Sequence, residues 1–374
     1  VTGHSDKTRQ TPPVPGSNHR SSRGSSKKLV FVAVGTVIAL AATFGFVRAT
    51  DLVFKPSASS GDVTATPTAS DEGQVSTETP VPDGKGKFAA APSASASASP
   101  SATPKKAGSI GNSACPSYPK FPDENCTGYK HTGVKLRDCP NTVTKSNVKL
   151  DGCRFTNGLT IEGKNVTISR SLVLGKVGGT YKTDWSLVGL RLVDVEIDGG
   201  GKVDPNGEAA IGNDDYTCIR CHIHGTGRGA NMRKNVHIED SYLHGWVYVN
   251  GAHQTAIGSN GGSNYKVIHN NLICDSDGCS AALSLYGDFE PINNALIERN
   301  LFNTNGGYCT YGGSTSAKPY PIGTNIRYVN NLFGKKYGPK CGYYGPVATF
   351  EFHQGNVWSG NAWQDGSGAV KPQS

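Results

Sequence analysis

Three stretches decide the reading of this chain. They are Tyr265-Lys266-Val267-Ile268-His269-Asn270-Asn271-Leu272, Ala295-Leu296-Ile297-Glu298-Arg299-Asn300-Leu301-Phe302 and Ile326-Arg327-Tyr328-Val329-Asn330-Asn331-Leu332-Phe333. Each runs apolar, variable, apolar, two variable, asparagine, variable, apolar. The frame recurs at residues 148–155, 166–173, 190–197, 216–223 and 236–243, with Cys153, Ser171, Val195, Cys221 and Ser241 at the sixth position. Successive sixth positions lie 18, 24, 26, 20, 29, 30 and 31 residues apart. A short strand pair repeated at that interval buries its apolar face only by stacking on its copies, which is the signature of an all-β solenoid.

The broken alternation between the third and sixth positions reads as a bend. Asn270, Asn300 and Asn331 then form one column, where side-chain amides can bond from coil to coil. Asparagine also tolerates left-handed backbone at such a place. Eight coils spaced by ~4.8 Å predict a rod on the order of 40 Å long. The fifth position reads Arg170, Asp194, Arg220, Asp240, His269, Arg299 and Asn330. Its sign alternates over the first four, as expected of solvated charges stacked on an exposed face.

The rest of the 374 residues fit this frame. With 48 glycines and 36% hydrophobic residues, the chain is neither a helical bundle nor a multi-span membrane protein. The net charge of +8 is concentrated at the start: residues 1–28 carry six Lys/Arg against one Asp, residues 29–112 six of each sign, and residues 113–374 25 basic against 22 acidic. The large domain has no basic stripe, so nucleic acid is not an expected partner. Residues 29–47 carry no charge, and as a helix would span roughly 28 Å against a hydrocarbon core of ~30 Å. Arg20, Arg23, Lys27 and Lys28 before them favour a cytoplasmic N-terminus.

The expected division is a basic cytoplasmic tail (1–28), a transmembrane helix (29–47), a disordered Ser/Thr/Ala/Pro-rich linker (48–112) and the solenoid (113–374). The solenoid would sit outside a cell membrane spanned once; a secreted form released from a signal peptide is the alternative. Ten cysteines agree with export. Register favours Cys309 with Cys341 and Cys274 with Cys279, while Cys115 with Cys126 and Cys139 with Cys153 would staple the N-terminal end. Cys218 and Cys221 are read as buried thiols. Spacing alone leaves the connectivity open.

The chain also resembles a family. Phe121-Pro122-Asp123, Leu159-Thr160-Ile161-Glu162, Asn165-Val166-Thr167-Ile168, Gly261-Gly262-Ser263-Asn264 and Gly355-Asn356-Val357-Trp358-Ser359-Gly360-Asn361 are similar to stretches of exported right-handed parallel β-helix proteins of high-GC Gram-positive bacteria. That is the superfamily of the pectate lyases. The resemblance covers roughly residues 115–366 and implies a right-handed parallel β-helix with a polysaccharide as partner. It also directs attention to Arg228-Gly229-Ala230 and His253-Gln254-Thr255-Ala256-Ile257-Gly258. These match the family's His-x-Asp-Gly-Ile turns, keeping His253 and lacking both acids.

Candidate sites follow. His224 and His244 occupy equivalent places on neighbouring coils and, with Arg228 and His253, are expected to line a glycan groove. A histidine can take a proton near neutral pH, and an arginine can pair with a uronate carboxylate. The alternative is that these histidines only bond turn backbone. Trp246, Tyr248, Asn260, Tyr286 and Tyr308 are candidate sugar contacts, with Tyr311, Tyr343 and Tyr344 as further aromatics. Asp214 and Asp215 are adjacent oxygen donors of the kind calcium takes, and calcium is the one cofactor the sequence suggests. No phosphate loop, nucleophile elbow or HExxH motif is present. The leading expectation is a membrane-anchored extracytoplasmic protein engaging polysaccharide or cell-wall glycan, with lyase chemistry on a uronate. A non-catalytic glycan-binding or structural surface protein is the alternative, and a glycoside hydrolase the third.

Overall fold

The computed structural model describes residues 114–202, 207–353 and 355–372. The expected tail, transmembrane segment and linker lie outside the described residues. Among those described, no helix is long and apolar enough to cross a membrane.

The fold is a parallel β-solenoid of two sheets, one of 17 strands and one of nine. Strand pairing aligns the repeats in the expected register, Thr217 opposite His237, Val236 opposite Tyr265, Tyr265 opposite Ala295 and Ala295 opposite Ile326. It adds one unit that the sequence reading did not include, residues 356–363, where Tyr328 pairs with Trp358 and Leu332 with Ala362. Positions one, three, six and eight point inward. Val267, Asn270, Leu272, Ile297, Asn300 and Phe302 are all fully buried.

The bend is made by the fifth residue, and the left-handed backbone assigned to the sixth by sequence is corrected accordingly. Arg170, Asp194, Arg220, Asp240, His269, Arg299 and Asn330 all have φ between 46 and 56°, and Gly152 and Gly360 take the same role at 63 and 65°. A kink of one residue turns the strand, and the sixth side chain then faces inward to meet the backbone polar groups beside the kink. Asn300 Oδ1 accepts from Asn270 N at 2.9 Å and from Asn270 Nδ2 at 3.0 Å, while Asn300 Nδ2 donates to Val267 O at 2.8 Å. Asn331 and Asn361 repeat the pattern one rung further on each time. Nearer the N-terminus, serine does part of this work: Ser241 Oγ accepts from Cys221 N at 2.9 Å, and Ser171 Oγ from Cys153 N at 3.0 Å.

A second, exposed ladder precedes each unit. Asn165, Asn235, Asn264 and Asn294 have φ of 53 to 65°. Asn294 Nδ2 donates to Asn264 Oδ1, and Asn264 Nδ2 to Asn235 Oδ1, both at 2.8 Å.

An N-terminal strap crosses the outside of the rungs. Asn271 Nδ2 donates to Pro122 O at 3.0 Å, Gly128 N to Arg220 O at 2.9 Å, and Lys130 Nζ to Glu196 Oε1 at 2.8 Å. It covers two of the fifth-position residues read as solvated: Asp194 is 7% and His269 8% exposed. Asp194 takes both Arg220 (2.6 and 2.8 Å) and His131 (3.1 Å).

All ten cysteines are paired: Cys115 with Cys126, Cys139 with Cys153, Cys218 with Cys221, Cys274 with Cys279 and Cys309 with Cys341. Cys218 and Cys221 are therefore not thiols. They are the third and sixth residues of one unit, both inward, and the bend at Arg220 brings their Cα atoms to 5.8 Å. Five disulfides suit an oxidising, extracytoplasmic compartment.

Asn300→Ala strips several buried backbone and amide groups of partners at once and should cost about 3–5 kcal/mol. Asn294→Ala, on the exposed ladder, should cost less than about 1 kcal/mol; urea-unfolding midpoints compare the two. Iodoacetamide on denatured, unreduced protein should label no cysteine, whereas free Cys218 and Cys221 would add two labels by mass.

Candidate functional site

The outer face of the nine-stranded sheet carries a trough. One cleft of 710 Å³ is lined by Arg228, Asn231, His253, Ser284, Tyr286 and Tyr311, with Asp288, Glu290 and Lys318 at its wall. A second cleft, of 540 Å³, is lined by Thr160, Lys176, Trp185 and Glu208, and shares Asn213, Arg228 and Asn231 with the first. The lining residues come from seven successive strands, Leu159–Ile161 through Tyr308–Gly312, so the trough runs about 30 Å along the solenoid. Its floor is open because the outward residues there are small: Asn231, Gly258 and Ser284 lie opposite one another in register, followed by Tyr311.

The four candidate catalytic residues divide between the two sheets. Arg228 and His253 share the trough, where Arg228 Nε donates to Gly207 O at 2.7 Å and His253 Nδ1 lies 3.1 Å from Ser280 Oγ. His224 and His244 belong to the other sheet. After His224 and His244 the turns Gly225-Thr226-Gly227 and Gly245-Trp246 carry the chain toward the nine-stranded sheet, so residues close in sequence face different solvent. The expected single groove of four residues is corrected to a pair in the trough and a pair elsewhere.

The proposed sugar contacts also sort by position. Asn260 and Tyr286 line the trough. Lys318 Nζ sits 4.4 Å from the Tyr286 ring centre, and burial pushes the Tyr286 hydroxyl well above its ordinary pKa. Tyr308 lies beside the trough in a chain of rings, 5.4 Å from Tyr311 and 5.6 Å from Tyr344. Tyr344 and Tyr343 are 61% and 79% exposed. Tyr248 is exposed but lines neither cleft, its hydroxyl donating to Asn250 Oδ1 at 3.1 Å. Trp246 is a core residue, buried with Nε1 donating to Ile273 O at 2.8 Å, and so presents no face to a sugar.

Asp214 and Asp215 do not fit calcium. Both Asp214 oxygens are engaged by Arg233. Asp215 accepts from Ser186 Oγ at 2.8 Å and Asn235 Nδ2 at 2.7 Å as a member of the exposed ladder. A guanidinium already stands where a cation would be needed.

The histidine face is the larger surprise. Register places Glu196, His222 and Tyr242 in one outward column and sets His224 opposite Asp198 two residues along. His222 Nε2 lies 2.9 Å from His244 Nε2, and His224 Nε2 lies 3.1 Å from Glu196 Oε1. Tyr242 stacks on His244 with ring centres 4.0 Å apart. Burial pushes the His222 pKa down to about 3, with His224 and His244 adding to the effect. Burial raises Glu196, but the hydrogen bonds from His224 and Lys130 outweigh it and hold its carboxyl at about 2. Glu196 and His222 escaped the sequence reading because they were scanned along the chain. Reading the seventh position down successive units would have put them side by side.

Comparison with known proteins finds no matching family model, no matching curated protein and no matching solved structure.

One contact of the strap over this face is pH-sensitive. Burial lowers the His269 pKa, but bonds to Asp240 (2.6 Å) and to Lys120 O (2.9 Å) outweigh it and leave the pKa above its ordinary value of 6.5. A raised folded pKa gives stability that is complete below pH 6.5 and fades as the pH rises through the folded value. His269→Gln should therefore destabilise by about 2 kcal/mol in acid. The gap from wild type should close as the pH rises, and thermal midpoints across a pH series measure it.

Proposed function

We propose that this solenoid binds an extended polysaccharide along the trough of the nine-stranded sheet. The carrying observation is that the two clefts share Asn213, Arg228 and Asn231 and so form one channel across seven strands. A polymer laid along the rod would meet a fresh set of outward side chains at every rung, spaced by ~4.8 Å. Such a channel suits a chain of repeating units better than a small molecule, which needs an enclosing pocket.

The side chains agree. Tyr286, Tyr311, Tyr308 and Tyr344 give a run of ring faces and hydroxyls, the amphipathic surface on which sugar rings stack. Arg228 offers a guanidinium suited to carboxylates. At the trough Lys318 stands beside Asp288 and Arg233 beside Asp214, so the trough is mixed in charge and accepts neutral as well as acidic glycans. Attachment to a membrane through residues 29–47 completes the proposal as a surface protein presenting its trough to wall glycan.

A second reading, β-elimination on a uronate, draws support from Arg228 and His253 sharing one cleft. Arg228 would neutralise the carboxylate, and the His253 imidazole would take the proton from the neighbouring carbon as the glycosidic C–O bond breaks to leave a C=C bond, the departing sugar oxygen taking a proton from water to leave as a hydroxyl.

Both readings are tested with the full chain and a panel of neutral and uronate-containing glycans. Tyr344→Ala, at an exposed site that the fold does not need, should weaken glycan binding about tenfold, or roughly 1.4 kcal/mol. Retention of no glycan by the wild type, or unchanged affinity in this variant and in Arg228→Ala, overturns the trough. New double bonds in the wild type that vanish in His253→Ala establish the lyase; binding without double bonds leaves a non-catalytic glycan binder.

A further inference from the structure

We propose that Glu196, His222, His224 and His244 form a site for one late first-row divalent cation, with zinc as its type. Among the described residues, Glu196, His222 and His224 are the one group of three metal-ligating side chains whose donor atoms all lie within 4.8 Å of one another. His244 joins them through His222, Nε2 to Nε2 at 2.9 Å.

The geometry is already close to a coordination shell. A tetrahedral zinc with bonds of about 2.0–2.1 Å sets its donors about 3.3 Å apart. Two of its six donor separations are near that value, 2.9 Å for His222 Nε2 to His244 Nε2 and 3.1 Å for His224 Nε2 to Glu196 Oε1, and the donors of Glu196, His222 and His224 all fall within 4.8 Å of one another. Three imidazoles and a carboxylate are the donor set that zinc and its neighbours take; calcium and magnesium prefer oxygen alone.

A second observation, independent of the clustering, points to a missing cation. Glu196 Oε2 is buried and has no hydrogen-bond partner, and the Glu196 side chain is only 2% exposed. Its sister oxygen Oε1 is occupied by Lys130 and His224. A buried carboxylate oxygen without a donor costs free energy, and a metal ion removes that cost. A carboxylate also stands near the far nitrogen of His224, beyond hydrogen-bond distance. Asp198 Oδ1 lies 3.6 Å from His224 Nδ1 and would need to close by about half an ångström to orient a metal-bound imidazole.

The site has a roof. A Cβ built on Gly128 would lie 3.0 Å from the His222 Cβ and 3.6 Å from Glu196 Oε2, so the strap backbone passes directly over the cluster with φ of +71° at the glycine. An ion here would bind three successive coils, through Glu196 on the first, His222 and His224 on the second and His244 on the third, beneath the strap. Its role in this position is to tie three coils to one another beneath the strap, and it is separate from the trough on the other sheet.

The test uses the full chain, stripped with a chelator and dialysed, then titrated with zinc against a chromophoric competitor. One equivalent should bind, and an excess of calcium or magnesium should not displace it. Bound zinc should also raise the thermal midpoint, because it binds the folded state. His224→Gln and His244→Gln, at partly exposed positions, should each weaken zinc at least tenfold and abolish that rise. Circular dichroism shows whether each variant keeps its sheet content. Should one fail to fold, cobalt bound to the wild type should give the intense visible spectrum of a tetrahedral site. No equivalent bound by the wild type, unchanged affinity in both folded variants, or a weak octahedral cobalt spectrum overturns the proposal.

Discussion

The structure depends on the left-handed residue at the fifth position of each coil and on how the polar groups beside it are satisfied. Turning a strand through one residue interrupts the regular ladder between rungs, and buried backbone groups left unpaired there would outweigh the gain from burying the apolar columns. The sixth side chain resolves this. Asn300 serves its own rung and both neighbours: it accepts from Asn270, donates to Val267 O, and its own N–H and Nδ2 donate to Asn331 Oδ1. Each amide therefore works only if the next coil is in register. A slip of one residue would unpair the whole column, so the ladder specifies register as well as adding stability.

Because register is held from coil to coil, outward side chains also line up, and chemistry accumulates in columns. On the nine-stranded sheet the column is small at Gly258 and Ser284, which hollows out the trough, and aromatic at Tyr311, which walls it. On the larger sheet the column is Glu196, His222 and Tyr242, roofed by the strap. The two surfaces differ in solvent access for that reason. One lies open along the rod, as an extended polymer requires, and the other is closed over a few concentrated donors.

The recurring unit was legible because its periodicity is local: eight residues suffice to show inward positions one, three, six and eight. The asparagine column followed from three repeats alone, and residues 356–363 extend it with Asn361. Less was legible at the sites. His224 and His244 were expected to share one groove with Arg228 and His253, yet the turns that follow each of those two histidines carry the chain to the other sheet before Arg228 and His253 are reached. Trp246 looked like a sugar platform, but its indole is needed inside, bonded to Ile273 O. Asp214 and Asp215 looked like metal donors, while a distant arginine and the exposed ladder had already claimed their oxygens.

Sequence by itself determined the coil, the inward columns and the stacking of asparagines, since these rest on side-chain polarity repeated at short range. Tertiary structure alone decided which outward residues meet. Glu196 reaches His222 and His224, 26 and 28 residues away, because a coil's length of chain returns to the same place one rung higher. That length varies from coil to coil with the loops, whose excursions carry no period for a sequence to display. The strap, coming from some 70 residues earlier and laid across the rungs, then set which of those meetings would be buried.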